Sequence, residues 1–335
     1  MKKSLSLAVI AAVFTAPAFA ANLENPLYVP RQGGFYSKTG IGMMAKVTDD
    51  TDAQIKKGHD GETEFPIWRI YEDMGFGITD DLSVYGQVGY TYNGDIDRKG
   101  LHTGRLGLNY RILSDVNQLV WDVYADAHLG GLSKMTGVMA DKGFKYDNYG
   151  TGQYGVYVGS KVGKTWDKLT GALYAELGHM LSNDNTEIEI DTLHVNPLVP
   201  TLTFTGTGVA KLKSFNDWNV GTKWAYEMDN EWTLGAGLAW KHHAAHIVQS
   251  AKIAGAANDP ATTSMVIAGL KTQFKGYDFQ DAFDEFPLTV SIANQLSESV
   301  QVAVYGEYTF DNGDSGSQNT TDVKAEAGVR VNVAF

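Results

Sequence analysis

Residues 105–113 read RLGLNYRIL, residues 114–117 form the polar turn SDVN, and residues 119–129 read LVWDVYADAHL. Apolar and polar side chains alternate through both runs, the period of a strand with two unlike faces rather than of a helix. From Leu119 onward, Trp121, Val123, Ala125 and Ala127 fall on one face, and Asp122, Tyr124 and Asp126 on the other. A short polar turn between two such runs makes a hairpin.

The same unit recurs along the chain. Short turns at Thr79-Asp80-Asp81, Thr165-Trp166-Asp167-Lys168, Glu227-Met228-Asp229-Asn230 and Ser297-Glu298-Ser299 are followed by LSVYGQVGYTY from Leu82, LTGALYAELGH from Leu169, WTLGAGLAWKH from Trp232 and VQVAVYGEYTF from Val300. In the first of these, Leu82, Val84, Gly86, Val88 and Tyr90 share a face opposite Ser83, Tyr85, Gln87 and Thr91. In the last, Val302, Val304 and Tyr308 oppose Gln301, Tyr305 and Glu307. Between hairpins lie longer polar or irregular segments, 48–64, 93–100, 131–151, 183–212, 247–284 and 311–321. Soluble sandwich strands average ~5–6 residues. These runs approach the ~9–11 that a tilted strand needs to cross a bilayer. Short turns on one side and long loops on the other then give an all-β fold, an antiparallel up-and-down transmembrane β-barrel of about twelve strands. Ser264 to Phe274 also alternates; it is placed within the long loop as an extension beyond the barrel, and a fourteen-stranded barrel is the alternative. One pair breaks the pattern. Adjacent Glu72 and Asp73 cannot both face inward without a bulge, and a carboxylate left facing lipid costs free energy.

Composition fits this reading. The chain has 335 residues, 43% of them hydrophobic, with 37 glycines, 17 tyrosines, 7 tryptophans, 8 prolines and no cysteine. A mean hydropathy of −0.21 looks soluble, but alternation hides a membrane wall in just this way. The absence of cysteine excludes disulfide staples, thiolate metal sites and cysteine nucleophiles. A net charge of −12 argues against nucleic acid as a partner. The segment from Met1 to Ala20 has the layout of a cleavable signal peptide: Lys2 and Lys3, an apolar core from Leu5 to Phe14, and small residues at Ala18 and Ala20. The expected organisation is a signal peptide at 1–20, a periplasmic lead-in at 21–32 too short to act as a plug, and the barrel at 33–335.

The chain ends Val329-Arg330-Val331-Asn332-Val333-Ala334-Phe335. This resembles the C-terminal signal of bacterial outer-membrane β-barrel proteins, with Val329, Val331, Val333 and Phe335 on the alternate apolar positions. The resemblance implies a diderm cell outer membrane, export by the cleaved signal, contact with membrane lipid and lipopolysaccharide, and assembly by the barrel-assembly machinery. It is a resemblance to the class, whose largest functional group is the porin-like diffusion channels. The implied expectation is a passive channel for small hydrophilic solutes or ions, without cofactor or catalysis. Oligomeric state is open.

Alternation places Lys38, Lys46, Arg69, Arg105, Arg111, Lys161, Lys223, Lys241, Lys324 and Arg330 in the lumen, with Asp73, Asp122, Asp126, Glu176, Asp217, Glu307 and Glu326. Such charges can hold a hydrated path and select ions, or they can pair across a narrow bore and fill it. Bores of ~8 strands are filled by side chains and those of ~16–18 hold water, so about twelve leaves both outcomes open. Inward tyrosines Tyr85, Tyr124, Tyr157, Tyr174 and Tyr305 suit packing better than a sugar track. Trp121, Trp166, Trp224, Trp232 and Phe335 near the turns, and Tyr92, Tyr154, Trp218 and Trp240 near the loops, suit two interfacial girdles. Acidic loop residues such as Asp49, Asp50, Asp52, Glu187 and Glu189 lack the spacing of a calcium loop. The run Gly159-Ser160-Lys161-Val162-Gly163-Lys164-Thr165 lacks the first glycine of a phosphate loop and leads into a turn, not a helix. A rim hydrolase built on His246 and Ser250 is a third reading, after the channel and a non-conducting surface barrel acting through long loops.

Overall fold

A computed structural model describes residues 22–47, 67–93, 98–115, 118–130, 134–139, 144–149, 154–196, 199–229, 231–280, 282–311 and 323–335. The expected signal peptide, the acidic residues from Asp49 to Glu64, and the side chains of Lys46, Tyr92, Glu187, Glu189 and Lys324 lie outside the described set. In chain order the strands are β1 (Phe35–Val47), β2 (Ile67–Gly77), β3 (Leu82–Asn93), β4 (Arg98–Asp115), β5 (Leu119–Leu129), β6 (Lys134–Met139), β7 (Phe144–Tyr149), β8 (Tyr154–Trp166) and β9 (Leu169–Met180). They continue as β10 (Asn183–Asn196), β11 (Val199–Leu212), β12 (Phe215–Glu227), β13 (Trp232–His243), β14 (His246–Ala257), helix α1 (Thr263–Phe274), β15 (Asp278–Gln280), β16 (Phe283–Gln295), β17 (Val300–Asp311) and β18 (Val323–Ala334).

Twelve of these strands are staves of one antiparallel ring: β1 to β5, β8, β9, β12, β13, β16, β17 and β18. The ring closes where β1 pairs with β18, from Tyr36 opposite Ala334 to Val47 opposite Val323. At the foot of that seam the N–H of Phe35 donates to the carbonyl of Phe335 at 3.0 Å, and the N–H of Phe335 donates back at 2.9 Å. The terminal phenylalanine is thus part of the closure. Closure leaves the wall no free edge, which lets strands cross a bilayer with their backbone groups satisfied.

Burial is inverted relative to a soluble protein. Large apolar side chains point outward and are exposed, among them Leu106, Leu108, Val156, Val158, Leu173, Leu177, Val290 and Val304. Trp121, Trp166, Trp224, Trp232 and Phe335 ring the turn side, while Tyr154 and Trp240 stand exposed toward the loops. Asp122, Gln301 and Asn332 are among the most buried side chains, and all three face the bore.

The segments read as irregular loops carry structure of their own. β10 and β11 form a hairpin, β14 pairs with β11, and the β6–β7 hairpin joins through β7 to β10. This sheet continues the wall past the loop-side rim. The alternation in Thr186-Glu187-Ile188-Glu189-Ile190 belongs to it. Ser264 to Phe274 is helical rather than extended: Val266, Leu270 and Phe274, spaced four apart, are buried together against Ile190, Phe204, Leu212, Val248 and Ile253. Small and apolar residues there satisfy both periods, and the apolar surface of β10, β11 and β14 decides for the helix.

No bulge occurs at Glu72 and Asp73. β2 pairs regularly with β1 and with β3 through both residues. Asp73 faces the bore, and Glu72 faces outward midway along its stave, where it accepts hydrogen bonds from the hydroxyls of Ser37 and Thr39. An outward carboxylate at mid-depth opposes membrane stability, and two hydroxyl donors only partly offset this. Glu72→Leu is expected to stabilise the folded barrel in lipid vesicles by on the order of 1 kcal/mol, read as a higher urea midpoint. A lower midpoint would show that the Ser37–Glu72–Thr39 bonds outweigh the desolvation.

Candidate functional site: the bore

The bore is built from the inward rows, and its first layer is a set of tyrosines laid on glycines. Tyr36 lies over Gly75, Tyr71 over Gly40, Tyr85 over Gly107, Tyr124 over Gly159, Tyr157 over Gly178, Tyr174 over Gly221, and Tyr305 over Gly328. Each pair sits directly opposite across neighbouring staves. A β-carbon on any of these glycines would fall within 2.7 Å of the ring above it. Glycine gives the ring a flat seat, and the ring covers backbone that glycine would leave bare. Sequence alone exposes the abundance of both residue types but not this pairing, because it depends on register between strands.

On this floor stand the charged groups. Asp122 is fully buried and receives Nε and Nη2 of Arg111 at 2.8 and 3.1 Å and Nζ of Lys161 at 3.2 Å. Toward the loop side, Arg105 bridges Asp126 at 2.9 Å and Glu176 at 3.0 Å. Its guanidinium lies 4.2 Å from the centre of the Tyr157 ring, and Tyr85 donates to Asp126 at 2.7 Å. Arg69 and the hydroxyl of Tyr305 meet Glu326 at 3.5 and 2.8 Å. Tyr36 donates to Asp73 at 3.1 Å. Lys38 and Lys223, from staves on opposite sides of the ring, enter no ion pair among the described residues. Asp217 lies higher, accepting the N–H of Ala244 at 3.0 Å.

The lead-in segment departs from its expected role. Residues from Asn22 enter the bore from the turn side and are tied to its wall. Leu23 and Leu27 are 2% and 3% exposed, and Leu27 packs on Val120 and Ala172. Glu24 accepts from the guanidinium of Arg330, from Asn332 at 3.2 Å and from Ser291 at 2.6 Å. Lys161 donates to the carbonyl of Pro26 at 2.8 Å, and Arg111 to that of Leu27 at 2.6 Å. The chain then turns into β1 through Gly33, whose φ of 76° suits glycine. The wall supplies the donors this short segment needs, so it does not need a core of its own to hold its place.

A cavity of about 630 Å³ remains above the segment. Lys38, Arg69, Asp73, Arg105, Lys161, Glu176, Lys223, Glu307, Glu326 and Arg330 line it, together with Glu24 and the seated tyrosines other than Tyr157. Arg111, Asp122 and Asp126 are drawn back into the wall by their ion pairs.

At the loop-side rim the histidines divide by face. His242 meets Asp284 at 2.7 Å on the outside, stacked on Trp218, while His243 meets Glu285 at 3.2 Å on the inside. His246 lies on β14, stacked on Phe215 at 4.5 Å, and burial, with His243 nearby, pushes its pKa down to about 4. Ser250 is exposed four residues along the same strand, opposite Lys211. At that spacing the two are ~13 Å apart, far outside the reach of a base and its nucleophile.

A closed wall of twelve staves, an apolar outer belt with aromatic girdles and a polar bore define an antiparallel β-barrel of the membrane-spanning type. No family model matches the chain, and no curated protein matches it. Solved structures of similar shape include an outer membrane channel from Pseudomonas putida F1, with a TM-score of 0.49 and 10% identity over 94% of this chain and 99% of that one. A mutant of the TodX monoaromatic hydrocarbon channel has a TM-score of 0.47 and 8% identity over 92% and 90%. The NanC porin has a TM-score of 0.41 and 8% identity over 90% and 98%.

Proposed function

We propose that the barrel is a passive channel for small hydrophilic solutes, selecting by size and by the field of its inward charges. The supporting observation is the polar cavity of about 630 Å³ inside a closed wall. That volume falls within the ~300–1,000 Å³ usual for small-molecule sites, room for a hydrated ion or a solute of sugar size. The wall offers such a solute charged and phenolic groups on every side. The outward face meets outer-membrane lipid and lipopolysaccharide, the signal at residues 1–20 directs export, and Val329, Val331, Val333 and Phe335 address the chain to the barrel-assembly machinery. The extension formed by β10, β11, β14 and α1, with a core of its own, favours a second reading, a surface barrel acting through this outer layer.

Purified protein in planar bilayers is expected to give discrete conductance steps. A preparation that shows the heat-modifiable gel mobility of a folded barrel, yet gives no steps above background, overturns the channel reading and leaves the surface role.

A further inference from the structure

We infer that the bore contains a carboxylate-binding site, now occupied by the side chain of Glu24, and that small carboxylates are the solutes it takes. The inference rests on the channel reading for its role in transport, but the site itself is a property of the wall. Arg330 and Asn332 stand two residues apart on the inward row of β18, and Ser291 lies on β16 two staves away. Together they present a guanidinium, an amide and a hydroxyl to one carboxylate. The planar fork of an arginine suits this anion in both geometry and charge.

These donors are positioned by other wall residues, not by the segment they hold. Asn332 also donates to Gln301 at 2.9 Å, which fixes its amide. Arg330 reaches the hydroxyl of Tyr71 at 3.4 Å and lies 5.8 Å from the centre of the Tyr305 ring. Withdrawal of Glu24 therefore leaves a formed, cationic pocket. Arg330 would lose its only ion-pair partner among the described residues, with Lys38 and Lys223, also without ion pairs there, lining the same cavity. Of the other inward acids, Glu326 is held by Arg69 and Tyr305, Asp73 accepts from Tyr36, and Glu307 lies opposite Glu326, four residues along β17 from the level of Arg330. A solute carboxylate would restore the lost pairing.

Exchange does not require the whole segment to leave. Pro26 and Leu27 are held separately, through their carbonyls, by Lys161 and Arg111. Glu24 thus acts as a tethered competitor, present at a local concentration in the millimolar range for so short a tether. A free carboxylate must outcompete it.

Succinate is a suitable probe, with glycerol as the neutral control. Calorimetric titration of the folded barrel is expected to show succinate binding that tightens about tenfold in Glu24→Gln, as removal of a tethered competitor requires. In bilayers the same variant should be blocked at correspondingly lower succinate. Arg330→Gln should abolish both effects. Lys38→Gln, which removes a cation opposite Asn332 but no hydrogen bond to Glu24, should weaken them and serves if the arginine variant fails to show heat-modifiable mobility. Folded Glu24→Gln protein that binds no succinate, or binds it no better than the parent, overturns the inference whatever its conductance. Succinate binding without conductance upholds the site and rejects the channel.

Discussion

Deletion of residues 22–32, with residues 1–21 kept, is expected to raise single-channel conductance several-fold and leave the barrel folded. The segment carries Leu23, Pro26 and Leu27 into the turn-side end of the bore, and Leu27 closes on Val120 and Ala172, two staves apart on one side of the wall. A bore of about twelve strands lies between the filled and the water-holding sizes, so one strip of polypeptide decides which it resembles. Removing it opens the cavity toward the turn-side end. The cost in stability includes the two leucines, about 1.5–3 kcal/mol each for full burial, and the loss of the Glu24 carboxylate from Arg330. The wall does not depend on them, since every stave pairs with both neighbours and the β1–β18 seam begins at Tyr36. Arg111 and Lys161 lose two carbonyls but keep Asp122 and gain water. Unchanged conductance in a folded deletion variant would place the constriction higher, at Arg105, Asp126 and Glu176.

The wall was more legible in the sequence than its contents, and the physics of each explains why. Leu82 to Tyr90 and Leu119 to Ala127 declare their faces because a lipid-facing row must be apolar and a bore-facing row need not be. Twelve staves follow from counting such runs between short turns. The strip from Asn22 to Pro30 has no period, so nothing in its own residues says that Arg330, Lys161 and Arg111 will hold it. Those partners lie 84 to 306 positions away in sequence. The tyrosine–glycine seats were hidden for the same reason. Composition shows both residues, but only the register of neighbouring staves brings Tyr157 over Gly178. Glu72 was a conflict the sequence could pose but not resolve: the pleat stays regular, and Ser37 and Thr39 on the next stave receive the misplaced carboxylate. Ser264 to Phe274 failed for a different reason. Its apolar residues fit two periods, and only the partner surface chooses between them.

Asp122→Ala is expected to cost the barrel about 3–5 kcal/mol, the usual penalty for removing one partner of a buried ion pair. The carboxylate is fully buried, and its partners Arg111 and Lys161 are 11% and 19% exposed, so bore water does little to replace it. Two cations would be left on the inward rows either side of β5, with only the carbonyls of Pro26 and Leu27 to receive their hydrogen bonds. Repulsion between them would also loosen the grip on the lead-in segment, so protease sensitivity near Asn22 should rise together with the fall in urea midpoint. Adding Arg111→Met removes one of the stranded charges, and the double variant should recover part of the loss. That recovery is the sign of a coupled network rather than a simple packing defect. A loss below about 1 kcal/mol would mean that water reaches this cluster freely, as at an exposed pair. The anchoring of the segment would then rest on Glu24 and the two leucines.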